Sequence, residues 1–200
     1  MCIRDSPKTH YTQENNPQEQ ILFKEDGKGF LEFCGATAVV SLIHARAGKK
    51  AVKIKCPGVW NPQPEGTLGD FFHDPRNYKK FKKLNPNIDP YKYFNNRMLG
   101  FYPFAIEQVF NVKAKVEKKS TQNIGKLLSK NIGVMLWLKN PSHFIAAVKY
   151  VSDSDIIIYN DPWKKNYYPS ELKDTSGFNR MIKRTELNKN LNSYRILIGV

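Results

Sequence analysis

The run CGATAVVSLIHARAG, residues 34 to 48, constrains the fold most, because its apolar residues fill nearly every position. A helix with that pattern is buried in a core, whereas a surface helix carries a single apolar stripe. Gly48 supplies its stop, since glycine takes the left-handed conformation that closes a helix. The helix opens on a cysteine. Unpaired backbone N–H groups and the helix dipole at that end favour a thiolate. Cys34 is therefore a candidate nucleophile, provided the chain also supplies a base and a group to orient that base.

The rest of the chain divides in two. Residues 7 to 33 are polar and Gln/Asn-rich and read as an extended lead-in, and residues 50 to 66 form a loop rich in Pro and Gly. Short helical pieces broken by proline follow: TLGDFFHDPRNYKKFKKL, DPYKYFNNRML and YPFAIEQVFN. VKAKVEKK alternates apolar and charged residues and predicts a strand, while STQNIGKLLSKN predicts a helix capped by its opening Ser or Thr. Beyond it, IGVMLWLK, HFIAAVKYV and DIIIYN are β-rich runs separated by NPS and SDS, in the manner of a meander. A polar helical segment near 176 to 188 and a last strand, SYRILIGV, complete the chain. A helical first half and a sheet-forming second half make an α+β pattern. Two hundred residues suit one domain with a real core. That domain spans residues 7 to 200, because the opening MCIRDS reads as translated adapter sequence. The native N-terminus is then missing, and export cannot be judged from this end.

The candidate base is His143. It opens a predicted strand directly after NPS, so its ring can project at the sheet edge toward a cleft. In an antiparallel hairpin the end of the second strand returns beside the start of the first. The hairpin HFIAAVKYV–SDSD–IIIYNDPW therefore brings Asn160 and Asp161 back to His143, across a separation of 18 residues. Other histidines fit less well. His44 lies ten residues along the Cys34 helix and faces elsewhere, and His73 in FFHDP reads as structural. Cys2 belongs to the adapter stretch, and Cys56 has no identifiable base. An odd set of three cysteines and scattered histidines gives neither a disulfide framework nor a metal cluster, and no cofactor is expected.

Cys-Gly before a small-residue helix, a distant His-Phe opening a strand, and Asn-Asp-Pro closing the next resemble papain-like cysteine peptidases. More closely, they are similar to the bacteriocin-processing (double-glycine) peptidase-like family. The stretch from GTLGDFFHDPRNYKKF to NNRMLGFYP looks like its phage and prophage branch. The resemblance implies a papain-like fold with Cys34 as nucleophile, His143 as base and Asp161 as orienting group. It also implies an oxyanion-hole glutamine, which in YTQENN is Gln13. The spacer to Cys34 is longer than the family's usual one, which leaves Gln18 and Gln20 as rivals. On this reading Asp161→Asn should cost less labelling and turnover than Cys34→Ala or His143→Ala, since it disturbs the tautomer but keeps a hydrogen-bonding group of the same shape.

Each residue also has a plain structural explanation. Cys34 could be a core thiol, His143 a satisfied strand histidine, Asp161 a turn opener before Pro162, and Trp163 a packing residue. The expected activity is cysteine peptidase or amidase chemistry on a peptide or protein substrate, a cell-wall or virion-associated peptide among the candidates. Acyl transfer by the same triad is a further possibility. The alternative is an inactive papain-like binding module. Its basic surface, with 32 Lys+Arg against 18 Asp+Glu and a net charge of +14, would engage nucleic acid or virion components. No apolar run approaches the roughly 20 residues that span a bilayer. A soluble protein of a reducing compartment or a virion is expected.

Overall fold

The computed structural model describes residues 34–52, 64, 67–68, 71, 74–84, 86, 96–162 and 179–199. The apolar run forms helix α1, Cys34–Ala47, and every residue from Cys34 to Ile43 is buried. Gly48 ends it at φ 79°, its N–H donating to the His44 carbonyl at 2.9 Å. That bond satisfies a carbonyl the helix end would otherwise orphan. Helices α2 (Tyr78–Leu84) and α3 (Tyr102–Phe110) come before the sheet. Their aromatic residues pack together, with Phe81 and Phe104 ring centroids 6.2 Å apart.

The second half forms the sheet. Its strands are β1 (Ala114–Glu117), β2 (Gly133–Leu138), β3 (His143–Val151), β4 (Ile156–Asn160), β5 (Arg180–Lys183) and β6 (Leu191–Ile198). Helix α4 (Ile124–Ser129) joins β1 to β2, and α5 (Arg184–Lys189) joins β5 to β6. The order is β1-β6-β2-β3-β4-β5, and every pairing is antiparallel. Strands β2, β3 and β4 are thus the expected meander, β5 adds a fourth strand beside β4, and β6 returns to lie between β1 and β2. The fold is α+β, a six-stranded antiparallel sheet with helices.

Alternate strand residues feed two separate cores. Met135, Phe144, Ala146 and Ile196 pack with α1 and α3. Val134, Leu136, Ile145, Ala147 and Tyr159 pack with Ile124, Leu128 and Leu187 of α4 and α5. Both faces of the central strands are therefore covered, which explains why GVMLWL and HFIAA read as continuous apolar runs. Among the described residues, no helix is long and apolar enough to cross a membrane.

Three expectations need correction. Residues 180 to 183, read as the start of a polar helix, form strand β5, with Arg180 and Ile182 buried and Met181 and Lys183 exposed. Four alternating residues give too short a signal to outweigh a polar composition. Ser120 and Thr121 do not cap α4, whose N-cap is Asn123 at φ 55°. The Ser120 hydroxyl instead donates to the Asn192 carbonyl, and Thr121 Oγ1 donates to Asn188 Oδ1 at 2.5 Å. These hydroxyls tie the α4 turn to β6 and α5. Finally, β3 is an inner strand flanked by β2 and β4, so His143 stands at the end of a central strand and not on a sheet edge.

Candidate active site

Cys34 is the first residue of α1 and is 6% exposed. Its position at the helix start places it among backbone N–H groups with no partner inside the helix. The next residue must be small. A methyl at Gly35 would collide with the Tyr102 hydroxyl and lie 3.2 Å from Phe144 Cδ2. This close approach seats the start of α1 directly against the start of β3. Tyr102 and Trp137 flank Phe144, with ring centroids 5.8 and 5.9 Å away. The aromatic wall fixes the strand end that carries His143.

His143 opens β3 opposite Leu138 and is 2% exposed. Its Nε2 lies 2.7 Å from Asp161 Oδ1. A carboxylate accepts, so Nε2 carries the proton of that bond. His143 also makes a side-chain hydrogen bond with Cys34, and Nδ1 is the nitrogen left for it. Burial works to lower the imidazole pKa. The Cys34 charge, the Asp161 hydrogen bond, the Cys34 hydrogen bond and the Asp161 charge outweigh it and push the pKa up to about 9. Cys34 and Asp161 together thus favour the imidazolium form of His143.

Asp161 follows β4 directly and is fully buried. Its second oxygen, Oδ2, accepts a hydrogen bond from Arg180 Nη1 at 3.1 Å. Arg180 is itself buried, its side chain 1% exposed. Strand register explains the contact: Arg180 pairs with Tyr159, so Asp161, two residues on, is its diagonal neighbour on the same face. Asn160 has a different task. Its Oδ1 accepts the backbone N–H of Asn179 at 2.9 Å, which pins the chain as it enters β5. The β3–β4 hairpin closes with Ala146 opposite Asn160, after an irregularity between Ala147 and Lys149. Its return brings Asp161, not Asn160, to the imidazole.

Cys34, His143 and Asp161, singled out from the sequence, are therefore in one place. Arg180 was not foreseen. It falls within a segment read as a polar helix, and nothing about a lone arginine 19 residues beyond Asp161 marks it as a partner. Gln13, its rivals Gln18 and Gln20, and Cys2, Cys56, His73 and Trp163 lie outside the described residues. His44 is half-buried on α1. Among the described residues, no cluster of three or more His, Cys, Asp or Glu side chains could hold a metal ion.

A scan against protein-family models finds no match, and no curated protein matches the chain. The chemistry must be read from the residues themselves. A thiol at a helix start, an imidazole between it and a carboxylate, and a guanidinium behind the carboxylate can together generate and hold a sulfur nucleophile.

Proposed function

We propose that this protein is a cysteine hydrolase of peptide or amide bonds, built on a papain-like fold. The observation that carries the reading is the double engagement of His143, with Asp161 on Nε2 and a second side-chain hydrogen bond to Cys34. A histidine placed only for packing needs no thiol at one nitrogen and no buried carboxylate at the other.

The steps follow from those atoms. The Cys34 thiolate attacks the substrate carbonyl carbon, forming a C–S bond and moving an electron pair onto oxygen. Backbone N–H groups at the start of α1 stabilise that oxyanion. Gln13 would add a side-chain donor, as the family resemblance implies. Collapse of the intermediate breaks the C–N bond, and the leaving amine takes the proton from the His143 imidazolium. His143, now neutral, then removes a proton from water, which attacks the thioester carbon; the C–S bond breaks, releasing the acid and restoring the Cys34 thiolate beside the His143 imidazolium. Throughout, Asp161 holds the imidazole tautomer.

A peptide substrate on an anionic cell-wall or virion surface suits the charge of the protein. Helix α2 presents Lys79, Lys80, Lys82 and Lys83 to solvent. Such a contact should weaken steeply as salt rises.

The reading is tested without knowing the natural substrate. p-Nitrophenyl acetate should give a burst of one nitrophenolate per chain and then slow turnover, with the acetyl group found on Cys34 by mass spectrometry. Cys34→Ala should show no burst. No burst and no acetyl group on Cys34 in the unaltered chain would overturn the proposal.

A further inference from the structure

Arg180 carries chemistry that the three-residue set does not account for. It is a full positive charge held within a buried site, and its Nη1 rests on the Asp161 oxygen that His143 leaves free. A single buried charge is costly to hold unless it is paired and hydrogen-bonded. Among the described residues the four charged groups of the site lie on four elements, and the titratable Tyr102 hydroxyl of α3 lies against Gly35 beside Cys34. Cys34 is on α1, His143 on β3, Asp161 at the end of β4 and Arg180 on β5. Arg195, another buried arginine, lies between β1 and β2 on β6, where it binds Glu117 and the carbonyls of Ser120 and Gln122.

The charges of the four groups can be counted. With Cys34 as thiolate and His143 as imidazolium, the signs run minus, plus, minus, plus, and the buried set is neutral. Without Arg180 the same reactive form would carry a net charge of minus one. Burial penalises that net charge, and the set would relieve it by taking up a proton. The proton taken up is the one that must be absent for the thiolate to exist.

We infer that Arg180 is a positioning residue of the site: it fixes Asp161 through Oδ2 and supplies the positive charge that keeps the buried set neutral when Cys34 is a thiolate. The inference rests on Cys34 being the nucleophile, as proposed above. In this scheme Arg180 acts on the thiol through Asp161.

The test measures alkylation of Cys34 by iodoacetamide in the full chain between pH 4 and pH 9, resolved by mass spectrometry. Arg180→Gln and Arg180→Lys are compared with the unaltered chain, and thermal unfolding checks the fold of each. Arg180→Gln should move the acidic limb of the rate profile upward by about one pH unit or more and slow labelling at pH 6 about tenfold. Arg180→Lys keeps the charge and should stay within about half a unit of the unaltered limb. A purely structural arginine would change the amount of folded protein but leave the limb where it was. An Arg180→Gln profile superimposed on the unaltered one overturns the inference. If Arg180→Gln does not fold, the neutral Arg180→Met takes its place: a limb displaced upward by about a unit supports the role, and an unmoved limb contradicts it. An unaltered chain whose Cys34 labels only in the range of an ordinary thiol overturns the nucleophile reading, and the role of Arg180 with it.

Discussion

His143→Ala is expected to slow alkylation of Cys34 at neutral pH by about 10²-fold or more and to remove the nitrophenolate burst. The loss follows from geometry. His143 hydrogen-bonds Cys34 and is itself bonded to buried Asp161 at 2.7 Å. Without the imidazolium, the thiolate would lose the positive charge that hydrogen-bonds it. The variant should still fold, because Asp161 keeps its bond to Arg180. Iodoacetamide labelling resolved by mass spectrometry gives the rate, and far-UV circular dichroism confirms the fold. Equal labelling rates in the variant and the unaltered chain would mean that His143 does not activate the thiol.

Asp161→Asn should cost about 3–5 kcal/mol of stability, the range for breaking a buried ion pair by removing one partner. The sequence alone predicts that labelling and turnover suffer less than in Cys34→Ala or His143→Ala, and Arg180 adds the cost in stability. The substitution leaves the guanidinium and the imidazolium in a buried site without the carboxylate that both of them face. Asn160→Ala is the matched control, since it removes one hydrogen bond to the Asn179 backbone and should cost about 1–2 kcal/mol. Urea unfolding of the three chains measures both differences. An Asp161→Asn chain within about 1 kcal/mol of the unaltered one would contradict the charge arrangement described here.

The legible parts of this protein are those with strong local patterns. An apolar run with a terminal glycine gave α1 its limits, and the runs GVMLWL, HFIAAVKYV and IIIYN marked three neighbouring strands. The spacing of His143 and Asp161 could be read because a hairpin converts sequence distance into spatial contact by a simple rule. Arg180 could not be found that way. It reaches Asp161 through the register of β5 on β4, across a connection whose length does not set that register. The role of Asn160 was open for a similar reason. Two adjacent side chains at a strand end point to opposite faces, and only the pairing decides which one meets the imidazole. Ser120 and Thr121 show the converse problem. Their chemistry fits a helix cap, yet partners more than 60 residues away claim their hydroxyls.

The central claim is that Cys34 and His143 hold opposite charges against each other, and a proton titration of the His143 ring tests it most directly. The Cε1–H resonance of His143 is followed by NMR from pH 5 to 10, in the unaltered chain and in Cys34→Ala. The account predicts a midpoint of about 9 in the unaltered chain. The Cys34 charge is the largest of the influences that raise it, so in Cys34→Ala burial should regain weight and the midpoint should fall by roughly 1–3 units. A midpoint that is the same with and without the thiol would contradict the ion pair and the nucleophile built on it.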